Sequence, residues 1–137
     1  MFRSLTTTAL LAALIAPLIV IEAPPAQAQQ GFPFGMLLTL QAAPMRGSKR
    51  IPNIEIGDNG EVTIELWCKA AEGQFSVAND TIIFIPGPVE DRNCPADKAQ
   101  ADDNLLAALA DVATWKMQGS NLSLIGSRTL RFQVNTN

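Results

Sequence analysis

The 137-residue sequence contains no histidine and no tyrosine. Histidine is the usual general base, the usual partner of a nucleophilic Cys or Ser, and the commonest zinc ligand. Without it, Cys–His pairs and Ser–His–Asp triads are impossible within this chain. A zinc site would have to use two cysteines plus carboxylates, an uncommon set. Cysteine itself is scarce, at two residues, Cys68 and Cys94, and the CxxC spacing of thiol oxidoreductases is absent. Net charge is only −3, which gives no electrostatic footprint for nucleic acid or anionic lipid. Long apolar runs are lacking after the first segment, so no membrane span is expected once that segment is removed.

The first segment has three parts. Arg3 supplies a basic start, ALLAALIAPLIVI (Ala9–Ile21) an apolar run, and Ala26-Gln-Ala28 a small-x-small site. This is the pattern of a cleavable signal peptide over residues 1–28. The run is short against the ~20 apolar residues of a span and holds Pro17, which sets it apart from an uncleaved anchor. No cysteine stands at the cleavage point, so no lipidation is expected. The sequence therefore predicts a periplasmic or secreted protein. Residues 29–35 (QQGFPFG) read as a loose lead-in and residues 36–135 as a single domain.

Export bears on the two thiols. Disulfides persist in oxidising compartments, and an even count in a small exported domain reads as one bridge, Cys68–Cys94. Closing a loop of about 25 residues contributes roughly 3–4 kcal/mol in the chain-entropy account. Two free buried thiols, or a redox or catalytic pair, are the alternatives.

Along the domain, GMLLTLQ, NIEI and GEVTIELWC alternate apolar and polar residues as half-buried strands do. Gly57-Asp-Asn-Gly60 is a turn between the last two. Strand parity puts Ile54, Ile56, Val62, Ile64 and Leu66 inward. Extended to Cys68, it turns that thiol inward as well and Trp67 outward, unless a bulge intervenes. KAAEG (Lys69–Gly73) reads as a turn, and QFSV as a strand with Phe75 and Val77 inward. Ala78-Asn-Asp80 is a second turn. TIIFIP (Thr81–Pro86) is apolar on both faces, as in a central strand or one covered on both sides.

GPVEDRN then reads as a loop, with Pro95 at the first position of a helix of about 95–112. Ala99, Leu105, Leu106, Leu109 and Val112 form its apolar stripe. Three short strands follow, with Trp115, Leu122, Leu124, Leu130 and Phe132 inward. The expected fold class is α+β. A curved antiparallel sheet or partial β-barrel of about 7–8 short strands packs on one amphipathic helix.

Several of these stretches together resemble one family. WCKAAEG, FSVANDTIIF, NCPADKAQADD, NLLAALADVATW and MQGSNLSLIGSRTLRF follow one another in the order and spacing of the META domain, the HslJ-like heat-shock proteins of bacterial envelopes. Where family members often carry Gly-Cys-Asn, this chain has Trp67-Cys68-Lys69. The resemblance implies a META-like fold, an envelope compartment and an association with stress tolerance. It brings no catalytic residue to carry over.

The sequence thus points away from catalysis and toward binding. No catalytic residue, metal ligand or cofactor is assigned. The expected role is a non-catalytic exported domain in envelope stress tolerance or in binding an envelope component. The alternative is a small secreted β-barrel inhibitor or ligand-binding protein. The partner would be an envelope protein or a small ligand, and the chain a monomer. The candidate contact surface comprises Trp67 and Lys69 with the basic loop Arg46, Lys49 and Arg50. The carboxylates Glu90, Asp91, Asp97, Asp102 and Asp103 could in principle serve acid–base chemistry or calcium. Their spacing matches no calcium loop, and they read as a solvated acidic loop and helix face.

Overall fold

In a computed structural model, which describes Val20 and residues 31–136, eight strands and one helix follow each other along the chain. The expected signal peptide, apart from Val20, lies outside the described residues, as do Gln29 and Gln30. The strands are β1 (Met36–Leu40), β2 (Asn53–Ile56), β3 (Glu61–Glu65), β4 (Ala70–Ala78) and β5 (Thr81–Glu90), then β6 (Thr114–Gln118), β7 (Asn121–Ile125) and β8 (Thr129–Val134). The helix α1 (Ala96–Ala110) lies between β5 and β6. Every strand pairs antiparallel with its chain neighbours, and β1 pairs with β8, so the sheet closes into a barrel. The fold is α+β, as the alternation predicts.

Alternation selects the core. Leu38, Ile54, Ile56, Ile64, Leu66, Ile82, Leu122, Leu124 and Phe132 are fully buried inside the barrel. The helix lies across one end. It reaches the β3–β4 turn through Asp102 and the β7–β8 turn through Asp111. Between those contacts it buries Leu105, Ala108 and Leu109 in the core. No helix among the described residues is long and apolar enough to cross a membrane.

Several local expectations change. Strand β3 stops at Glu65 rather than Cys68. The Leu66 N–H donates to the Lys69 carbonyl at 2.9 Å, closing a turn over Leu66–Lys69. Cys68 is therefore half-buried in a turn, and Trp67 is half-buried rather than fully outward. KAAEG is not a turn, since Ala70–Gly73 open β4 and pair with β3. Gly73 is needed there for close approach: a Cβ would run into the Phe84 ring.

TIIFIP extends to Glu90, so GPVE is strand rather than loop. The strand tolerates Pro86 and Pro88 because β5 meets β6 at only one pair, Thr81 with Thr114. Beyond it, no strand among the described residues pairs with the second edge of β5, so no ladder there needs the missing N–H groups. Nor is β5 covered on both sides. Ile82 and Phe84 point into the barrel, but Ile83 and Ile85 are 57% and 52% exposed. Helix α1 closes the barrel end and leaves this outer face bare.

Pro95 is the N-cap of α1 rather than its first residue, and no side chain caps it. Phe32 and Pro33 are buried where a loose lead-in was expected. The Phe32 ring stacks edge-on against Phe34, Phe75 and Trp115, with centroids 4.9–5.7 Å apart. Trp115 sits at the core margin, half-buried, and donates its indole N–H to the Asn79 carbonyl at 2.7 Å.

Candidate functional site

The two ends of the barrel differ in chemistry. At the helix-covered end, the β3–β4 turn presents three consecutive backbone N–H groups to one point. The Asp102 carboxylate occupies that point. Its Oδ1 accepts from Trp67 N–H at 2.7 Å, and its Oδ2 from Cys68 N–H at 3.1 Å and Lys69 N–H at 2.8 Å. Successive N–H groups in a turn form a concave anion site, and here the chain fills it with its own side chain. Asp102 is completely buried, so it is no part of a solvated acidic face. A buried carboxylate is tolerated where several donors replace its water.

The same turn is tied covalently. Cys68 and Cys94 are bridged, with Cα atoms 5.8 Å apart, and neither thiol is free. The bridge anchors the turn just before α1, while Asp102 anchors it two turns into the helix. Lys69 adds a third link through its Nζ, 3.1 Å from Asp103 Oδ1. That hydrogen bond, and the charges of Asp103, Asp91 and Asp102, hold the Lys69 ammonium above the ordinary lysine range. The helix stripe carries the signal for Asp102. It lies three residues after Ala99 and three, four and seven before Leu105, Leu106 and Leu109. It therefore shares their face.

The candidate contact residues gather at this end. Trp67 and Lys69 share the β3–β4 turn, and the loop between β1 and β2 carries Arg46, Lys49 and Arg50. The Arg50 guanidinium is committed to Glu65 at 3.2 Å. Arg92 joins the same carboxylate at 3.1 Å and also Glu90 at 3.3 Å. The hydrogen bonds to Glu90 and Glu65 raise the Arg92 pKa above its ordinary value. Arg46 and Lys49 are exposed to solvent. Among the described residues, no three His, Cys, Asp or Glu side chains converge as metal ligands would.

The opposite end is apolar and open. A groove of about 400 Å³ lies between the lead-in and the β6–β7 turn, lined by Phe32, Pro33, Met36, Met117 and Val134 with Gly31, Gly119 and Ser120. None of its lining side chains is charged. Its size falls in the range of small-molecule clefts, and Met36 and Met117 give it adaptable walls. Sequence reading missed it because its lining is assembled from both ends of the domain and from the β6–β7 hairpin.

No curated protein matches the chain. An NMR structure of a protein from Burkholderia xenovorans is similar with a TM-score of 0.60 at 15% identity, covering 85% of this chain and 99% of that one. A second NMR structure aligns with a TM-score of 0.57 at 16% identity, covering 73% of this chain and 89% of the other. At such identities the likeness is one of fold. The META domain family model matches residues 37–137, and the chain belongs to the META domain family.

Proposed function

We propose that this META-family protein is a non-catalytic exported domain that binds an envelope component and supports tolerance of envelope stress. The observation carrying the binding reading is the open groove beside Phe32, Met36 and Met117. The barrel's own side chains, among them Leu38, Ile54, Ile64, Leu122 and Phe132, fill its interior, so a ligand is met at the rim. The uncharged lining selects an uncharged, largely apolar group, either a small molecule or a side chain of an envelope protein. The disulfide supports the export reading, since such bridges persist in oxidising compartments.

Two experiments test the proposal. An uncharged solvatochromic dye should bind the purified oxidised chain saturably. Substitution Met117→Asp should abolish this binding while the fold, read by circular dichroism, is retained. Unchanged dye binding in that variant would exclude the groove. In a strain lacking the gene, the full-length chain should restore survival under envelope stress, and a chain without residues 1–28 should not. Equal rescue by both would refute export as a requirement.

A further inference from the structure

Strand β8 overhangs the end of β1. The two pair from Leu38–Val134 to Leu40–Phe132, and the Gln41 N–H adds one more bond, to the Arg131 carbonyl at 2.8 Å. There β1 turns away, its Ala42 N–H donating back to the Leu40 carbonyl at 3.0 Å. β8 extends back to Thr129, and over that stretch it pairs with β7. The step leaves a groove of about 280 Å³, with Gln41 and Ala42 on one side and Arg128, Thr129 and Arg131 on the other.

The seam also sets where the backbone donors point. The Arg131 carbonyl and the Asn135 N–H both face β1, at Gln41 and Leu37, while the Val134 N–H faces Ser120 on the other side. Residues two apart on a strand share an edge. The Thr129 N–H therefore points into the groove, where no residue of β1 is paired to receive it. The Thr129 and Arg131 side chains alternate outward with buried Leu130 and Phe132, and both are exposed, as is Arg128.

The charge here has one sign. From Val112 onward the sequence has Lys116, Arg128 and Arg131 but no Asp or Glu. No carboxylate among the described residues lines the groove. Asp111 meets the adjoining β7–β8 turn, but its Oδ2 is taken by the Ser127 N–H at 2.7 Å. The ion pairs among the described residues involve Arg50, Lys69 and Arg92, not Arg128 or Arg131. Lys116 shares an outward row with Arg131 through Ser123 of β7. It stands two strands away, about 10 Å, outside the groove.

We propose that this groove binds a phosphate group. Two guanidiniums offer paired N–H donors that match its oxygens. The Thr129 N–H and hydroxyl add two neutral donors on a strand fixed by β7. Two exposed arginines alone would be a solvated face. The backbone donor that the departure of β1 leaves open beside them makes a concave anion site. The overall charge of −3 favours a single phosphate over a polyanion, which the acidic remainder of the surface would repel. The groove lies at the β1–β8 seam, apart from the barrel mouth, and does not depend on that site.

The test is amide NMR of the oxidised chain with inorganic phosphate, glucose 1-phosphate and, as a neutral control, glucose. Both anions should give saturable shifts at Ala42, Thr129 and Arg131, weakening as salt is raised, and glucose should give none. Tighter binding of the ester would identify an esterified phosphate as the occupant, and equal or tighter binding of inorganic phosphate the free ion. Arg128→Gln and Arg131→Gln should each weaken binding about tenfold, as expected for loss of a charge-assisted hydrogen bond. Lys116→Gln should weaken it less than about threefold, as a screened surface charge does. All three variants change exposed side chains, and their remaining amide shifts report the fold. No saturation with a Kd tighter than about 1 mM would overturn the proposal. So would shifts centred on Arg46 and Lys49 instead, or an equal loss with Lys116→Gln and Arg131→Gln.

Discussion

Replacing Asp102 by alanine should be among the most damaging single changes in this domain. The carboxylate accepts three N–H groups at 2.7, 3.1 and 2.8 Å in a fully buried position. A hydrogen bond to a charged group contributes about 1.5–3 kcal/mol. Summed without correction, three would reach roughly 4–9 kcal/mol, an upper bound. Water entering the half-buried turn recovers part of it, and the disulfide keeps the turn near the helix. The expected loss is therefore about 3–5 kcal/mol, in the range found for breaking a buried charged pair.

That loss is a large fraction of the ~5–15 kcal/mol stability of a domain. Asp102→Asn should recover only part of it, because one carboxylate oxygen becomes an amide that cannot accept from the turn. The assay is urea unfolding of the oxidised protein, read as a midpoint shift at constant slope. Hydrogen exchange at Trp67, Cys68 and Lys69 supplies the local readout. A loss below about 1 kcal/mol for Asp102→Ala would falsify the view that this carboxylate organises the turn.

Four further outcomes follow from the same structure. The combined change Cys68→Ser with Cys94→Ser should remove roughly 3–4 kcal/mol, the loop spanning a separation of 26 residues. Adding Asp102→Ala should cost more than the sum of the two, because either tie alone still holds the turn to α1; strict additivity in unfolding measurements would count against this. Asp111 is held below the usual carboxylate range by hydrogen bonds from the Ser127 side chain and backbone N–H. A depressed folded pKa gives stability that is present above the unfolded value of about 3.9 and lost as pH falls through the folded value. Asp111→Asn should therefore flatten the acid limb of the stability curve below about pH 4, and an unchanged limb would contradict it. Gly73→Ala places a methyl against the Phe84 ring and the Ile85 carbonyl. It should destabilise by about 1–3 kcal/mol, checked by the thermal midpoint.

Much of the fold was legible because short-range patterns carry it. Period-two alternation identified Ile54, Ile56, Val62, Ile64, Leu122, Leu124, Leu130 and Phe132, all buried in the structure. The misreadings share a physical origin. Gly73 looked like turn punctuation, yet it is a glycine required where another ring presses on the strand. Pro86 and Pro88 looked like the end of a strand, yet β5 continues because only one of its edges must pair there. The isoleucines at positions 83 and 85 left open a central strand or one covered on both sides; β5 lies between β4 and β6, and its cover depends on where α1 is laid.

Asp102 marks the boundary most clearly. The sequence by itself determined that this residue shares a helical face with Leu105, Leu106 and Leu109, because the helical period is a local property of the chain. It also determined that no histidine can stand beside either cysteine, and that Cys68 and Cys94 are the only bridge the chain can form. What would receive a carboxylate on the buried face of α1 could not be read locally. Its three donors lie more than thirty residues away and converge only once β3 and β4 have paired. The closure of the barrel through β1 and β8, and the bare outer face of β5, were decided at the same level. Each depends on long-range pairing and on where the one helix packs, and neither leaves a signature within any single strand.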